Sequence, residues 1–104
     1  MATAAKVTAS KTQGVVKVIR KLADGTVKQH TFVSPKIDWI TVYNASDVDI
    51  RINFDNQDAT LTTHYRTVEP GVETRRIGIT QNTTMEYTRA SGSGNKRIEI
   101  TAWG

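Results

Sequence analysis

From Val15 onward, apolar and polar residues alternate in short runs, and the runs are divided by residues that favour turns. A period of two, with no sustained period of three to four, marks strands and not helices. The clearest run sets Val48, Ile50, Ile52 and Phe54 against Asp49, Arg51 and Asn53, the pattern of a half-buried antiparallel strand. Residues 37–44 place Ile40 and Val42 on one face and Trp39, Thr41 and Tyr43 on the other. Residues 15–22 and 26–33 flank Asp24-Gly25, a two-residue hairpin signal because the primed turn needs positive φ at both positions. That register sets Leu22 against Val27, Val18 against Thr31 and Val16 against Val33, and it turns Lys17 and Lys21 to the opposite face.

Further along, Ser34-Pro35 interrupts the pattern, since proline offers no amide proton to a ladder. Residues 55–60 read as a polar loop, and residues 61–68 as a weaker, threonine-rich strand. Glu69-Pro70-Gly71 predicts a turn, with Pro presetting φ and Gly free to adopt positive φ. Residues 72–79 continue as a strand in which Gly78 suggests a bulge or a close backbone approach. Residues 83–90 and 96–103 read as a last hairpin around Ser91-Gly92-Ser93-Gly94-Asn95, with Ile98, Ile100 and Ala102 inward. The chain is therefore all-β, an antiparallel β-sandwich or jelly-roll-like barrel of about seven to eight strands. Residues 1–14, rich in Ala, Thr, Ser and Lys, predict a flexible N-terminal arm before a single domain over 15–104.

Size limits what such a domain can do. A chain of 104 residues buries about 65% of its extended surface on folding, enough for one thin core and no deep pocket. Without cysteine there are no disulfides, thiolate nucleophiles or cysteine-based zinc sites. No apolar run approaches the roughly 20 residues that cross a bilayer, and residues 1–6 lack the apolar core of a signal peptide, so synthesis in the cytoplasm is expected. The net charge of +4 raises nucleic acid as a partner. Its basic residues are dispersed, however, and suit an acidic protein surface equally well.

Candidate chemistry is sparse. His30 and His64 are the two histidines, and neither has the spacing of a triad, a zinc motif or a carboxylate partner. Asp55-Asn56-Gln57-Asp58 offers oxygen ligands but lacks the glycine and terminal glutamate of an EF-hand. The Gly/Ser loop at 91–95 precedes a strand, whereas a phosphate-binding P-loop leads into a helix. No catalytic residue, metal site or cofactor is expected, and the chain does not read as an enzyme. The residues singled out for partner contact are Trp39 and Tyr43, which share a strand face, Trp103 near the chain end, and Lys6 and Lys11 in the arm. Two lysines in an arm hold nucleic acid only weakly against salt, so no specific nucleic-acid partner is expected.

The stretch Ile40-Thr-Val-Tyr-Asn44-Ala-Ser-Asp-Val48-Asp-Ile50, then Val68-Glu-Pro-Gly71 and a closing Ile98-Glu-Ile-Thr-Ala102, resembles the layout of small β-sandwich virion proteins of tailed phages. Within that group the chain resembles capsid decoration or cement proteins, which are small, cysteine-free and β-rich with terminal arms. The resemblance spans about residues 37–103. It implies a virion location, docking on the major capsid protein or another virion protein, assembly as dimers or trimers, and no catalysis. A neck, tail or head-completion component is the alternative of the same kind. Of other kinds are a carbohydrate-binding module using Trp39 and Tyr43, and a small hydrolase, which would need converging carboxylates or histidines.

Overall fold

The computed structural model describes residues 14–54 and 65–104. The arm with Lys6 and Lys11, the loop with Asp55 and Asp58, and His64 lie outside the described residues. The rest forms eight strands: β1 (Val15–Ala23), β2 (Lys28–Phe32), β3 (Trp39–Asn44), β4 (Ile50–Phe54), β5 (Arg66–Val68), β6 (Ile77–Gly78), β7 (Thr83–Arg89) and β8 (Lys96–Trp103). They build two antiparallel sheets of order β1-β8-β3-β6 and β2-β7-β4-β5. The order has a simple rule. β1 pairs with β8, β2 with β7, β3 with β6 and β4 with β5, so the chain is one long hairpin rolled across two layers. This is the jelly-roll form of the β-sandwich.

Two hairpins expected from local sequence are absent. β1 and β2 lie in different sheets, as do β7 and β8. At Asp24-Gly25 neither residue has positive φ, so the primed turn does not form. Instead Asp24 Oδ1 accepts hydrogen bonds from the Thr26 backbone N–H at 2.9 Å and from Thr26 Oγ1 at 2.6 Å, an Asx turn. Its backbone carbonyl is held by the Arg89 N–H at 3.0 Å and by Thr88 Oγ1 at 2.9 Å. The link is thus a crossover fastened to β7.

The facing of β1 also differs from expectation. Ile19 and Ala23 are buried while Val16, Val18 and Leu22 are exposed, so Lys17 and Lys21 share the inward side. The reason is position. At a sheet edge an inward lysine covers the core with its stem and still reaches water with its ammonium. A bulge between Val15 and Lys17 adjusts the start of the strand.

The turn at Glu69-Pro70-Gly71 forms as expected, whereas the strand expected over residues 72–79 forms only at Ile77–Gly78. Gly71 has φ +73° and the Val72 N–H bonds to the Glu69 carbonyl at 3.1 Å, the geometry of a type II turn. The stretch after it is mostly extended coil, with only β6 and an isolated bridge from Tyr43 to Glu73. Gly78 shows no close approach, since a Cβ there would meet nothing within 4 Å.

The core lies between the sheets. Ile19, Ile40, Val42, Ile98 and Ile100 from one side meet Phe32, Ile50, Ile52, Val68, Met85 and Tyr87 from the other. Each large side chain buried there stabilises the fold by about 1.5–3 kcal/mol before entropy is counted. Asn44 sits among them fully buried. Its Nδ2 donates to the carbonyls of Val48 and Val68, both at 2.7 Å, and its Oδ1 accepts from the N–H and Oγ of Ser46 at 2.9 and 2.6 Å. This amide joins β3 of one sheet to β5 of the other and uses its whole hydrogen-bonding capacity.

Candidate functional site: an aromatic sheet face

Alternation along three neighbouring strands determines what the β1-β8-β3-β6 sheet shows to solvent. Ile40, Val42 and Asn44 point inward from β3, and Ile98, Ile100 and Ala102 from β8. Trp39, Thr41 and Tyr43 therefore point outward beside Arg97, Glu99, Thr101 and Trp103. The antiparallel register aligns them in rows: Val15, Trp103 and Trp39; Val18, Thr101 and Thr41; Arg20, Glu99 and Tyr43. The face thus brings together Trp39, Tyr43 and Trp103, three of the five residues singled out from sequence.

Trp39 and Trp103 stack with centroids 4.8 Å apart and planes 10° from parallel. Across β3 from Trp103, the partner of Trp39 is Gly78, which has no side chain. The Arg76 guanidinium lies 4.2 Å from the Trp39 centroid, a cation–π contact. Farther along the face Arg20 pairs with Glu99 at 3.5 Å, and Thr41 Oγ1 donates to Glu73 Oε2 at 3.2 Å. Trp103 Nε1 is buried with no hydrogen-bond partner. An indole N–H in that state favours any change that supplies an acceptor.

Sequence reasoning missed Arg76 and the outward apolar residues Val18 and Leu22. The signal for Arg76 was a basic pair three residues before Gly78. For β1, apolar residues at both parities in Val15-Val16-Lys17-Val18-Ile19 left the facing undetermined.

A second cluster lies at the other rim, where β1 and β2 are adjacent sheet edges. Lys17 and Ile19 meet His30, Phe32, Val33 and Ile37 around a cleft of about 100 Å³. His30 packs edge-on against Phe32, with centroids 4.8 Å apart. Loss of water, then the charges of Lys21 and Lys17, hold its imidazole below its ordinary value of 6.5. Among the described residues no three His, Asp or Glu side chains converge in metal-binding geometry. Asp24 is held down to about 2 by the two hydrogen bonds from Thr26, helped by Lys28, which accounts for it as a turn residue.

The chain matches no known protein family and no curated protein sequence. Among solved structures it is similar to the hydroxypropylphosphonic acid epoxidase from S. wedmorenis in complex with fosfomycin. The TM-score is 0.53 at 10% identity, over 90% of this chain and 45% of that one. At that identity the likeness speaks for the fold alone, and this chain spans less than half the enzyme's length.

Proposed function

We infer that the protein is a non-enzymatic virion structural protein that docks on a phage capsid as a decoration or cement protein. The observation that carries this reading is the outer face of the β1-β8-β3-β6 sheet. A tryptophan pair, a tyrosine and exposed Val18 and Leu22 stand there beside the Arg20–Glu99 ion pair. Aromatic and aliphatic side chains on a flat face fit the centre of a protein interface, and the paired charges fit its rim. The jelly-roll order supports it further, because that architecture recurs in viral shells, and so does the resemblance to tailed-phage virion proteins. Contacts of moderate strength repeated over a shell add up through multivalency. Assembly of the protein itself as a dimer or trimer belongs to the same reading. A neck or tail position would use the same face.

A sugar platform is less well served by this geometry. It needs an open ring face, and Trp39 has Trp103 on one side and Arg76 on the other.

Co-sedimentation with assembled capsid shells tests the proposal, alongside light scattering of the full chain and of a chain lacking residues 1–14. Wild-type protein is expected in the shell fraction and a Trp39→Ala/Tyr43→Ala double variant in the supernatant. Wild-type protein that stays in the supernatant, monomeric with or without the arm, would sink the reading.

A further inference from the structure

We propose that the free edge of β1, with the basic rim beside it, is a docking groove for an acidic extended segment of another protein, which adds to the sheet as a further strand. The inference concerns the edge of the sheet, which shares Val15, Val18 and Leu22 with the outer face, and it stands whether or not the protein works on a capsid.

β1 is nine residues long and hydrogen-bonds to β8 on one side. On its other side no strand pairs with it among the described residues. Such an edge presents a row of backbone donors and acceptors ready for another strand. Its side chains are also unusual for an edge left in water. Val15, Val16, Val18 and Leu22 are 41–51% exposed. A strand laid along β1 would direct alternate side chains to those residues. The others would point to the rim, where Lys17, Lys21 and His30 stand over an apolar floor of Ile19, Phe32 and Ile37.

Charge identifies the occupant. Residues 15–36 carry five Lys and Arg against one Asp; with Arg20 paired to Glu99 and Lys28 to Asp24, Lys17, Lys21 and Lys36 remain without an ion pair among the described residues. The single acid, Asp24, is already taken by Thr26 and Lys28. Residues 1–13 hold Lys6 and Lys11 and no acid, the wrong sign for this groove. A second copy of β1 would set lysine against lysine. β2, Lys28-Gln29-His30-Thr31-Phe32, is equally without acid, and β5 and β6 have only three and two residues. Nucleic acid has the right charge, but phosphates cannot satisfy alternating backbone donors and acceptors or cover four aliphatic side chains. The inward lysines thus keep like edges apart and select for a strand of opposite sign. The partner segment alternates acidic with aliphatic residues.

The test titrates the full chain with a fluorescein-labelled peptide of about nine alternating glutamate and valine residues, the length of β1. A lysine/valine peptide of the same length and an oligothymidine run in parallel. Saturable binding of the acidic peptide is expected, weakening as salt rises, with the His30 ring titrating at higher pH when the peptide is bound. A Lys17→Glu/Lys21→Glu variant should lose at least about tenfold in affinity and should take the lysine/valine peptide instead. Its circular dichroism spectrum and melting curve report that it is folded. The proposal is overturned if the acidic peptide does not bind, or if it binds the charge-reversed variant equally well. It is also overturned if oligothymidine binds in its place, or if the protein forms a dimer through this edge that excludes the peptide.

Discussion

Both sheets supply the core, and they differ on their outer faces. Outside the β2-β7-β4-β5 sheet the register places Gln29, Thr31, Thr84, Glu86, Thr88, Arg51, Asn53 and Thr67, and the one large apolar group against them is Tyr65, whose ring lies 4.5 Å from the Arg51 guanidinium. Outside the β1-β8-β3-β6 sheet stand Val18, Leu22, Trp39, Tyr43 and Trp103. Both obey the same alternation and bury similar residues within. The apolar groups on the first outer face are therefore not needed to complete the core. A sheet whose only task is to close a sandwich can be threonine-rich outside, as the second one is. The asymmetry is what the proposal of a contact surface on the first face rests on.

The comparison depends on the two sheets being held in one relation, and Asn44 is the polar group that does so. Asn44→Ala removes four hydrogen bonds of 2.6–2.9 Å and leaves the Val48 and Val68 carbonyls without this donor. The expected cost is about 3 kcal/mol or more, read by urea denaturation. A cost under about 1 kcal/mol would mean that Asn44 adds little to the joining of the sheets.

Next in size are substitutions on the two outer faces. Trp39→Ala loses the stack on Trp103 and the Arg76 contact together, about 2 kcal/mol. Thr31→Ala on the other sheet loses one exposed hydrogen bond, 2.9 Å from Thr84, and should cost no more than about 0.5 kcal/mol. Trp103→Phe keeps a ring in the stack and removes the unpartnered Nε1, so it should cost less than Trp39→Ala. Equal losses for Trp39→Ala and Thr31→Ala would erase the distinction between the faces.

How much of this was legible in the sequence follows from which signals are local. The facing of β3 and β4 was readable because each carries its apolar residues at one parity. The same parity placed Trp39 and Tyr43 together. The arrival of Trp103 beside Trp39 was not readable, since it depends on the register between β3 and β8, strands far apart in the chain. The turns misled for a physical reason. Asp24-Gly25 and Ser91-Gly92-Ser93-Gly94-Asn95 do reverse or redirect the chain, but turn chemistry does not say whether the next strand returns to the same sheet or crosses to the other. At Asp24-Gly25 the sign of φ decides it, and that is fixed by Thr26 and β7 and not by the dipeptide. In β1, apolar residues at both parities allowed either facing, and its edge position resolved it.

Glu86 sharpens the comparison from the other side. It lies at the centre of the polar face, 1% exposed, with Oε2 accepting from Gln29 Nε2 at 3.2 Å and Oε1 without a partner. Glu86→Gln keeps the shape, replaces the carboxylate with a neutral amide and should raise stability by about 1 kcal/mol, read as a higher melting temperature. A loss instead would mean that the carboxylate is needed there, and the second face would have to be considered a site in its own right.

The smallest effect is the pH response of the basic rim. His30 faces Lys17 and Lys21 from β1, lies beside Phe32 on its own strand and has Met85 opposite on β7. Burial, then the two lysines, lower its folded-state pKa below 6.5. The unfolded chain therefore binds a proton at this residue more readily than the folded one. The stability this gives is fully present above the folded and unfolded values, and it declines as pH falls from 6.5 through the lower folded value. Melting curves between neutral and mildly acidic pH should show a decline that His30→Gln reduces. Asp24, held near 2, gives no change over that range, since its contribution is lost only as pH falls from 3.8 through about 2. If the acidic strand proposed for β1 is supplied, it offsets the two lysines and the His30-dependent part of the decline should shrink. An unchanged decline would place the strand, if bound, away from this rim.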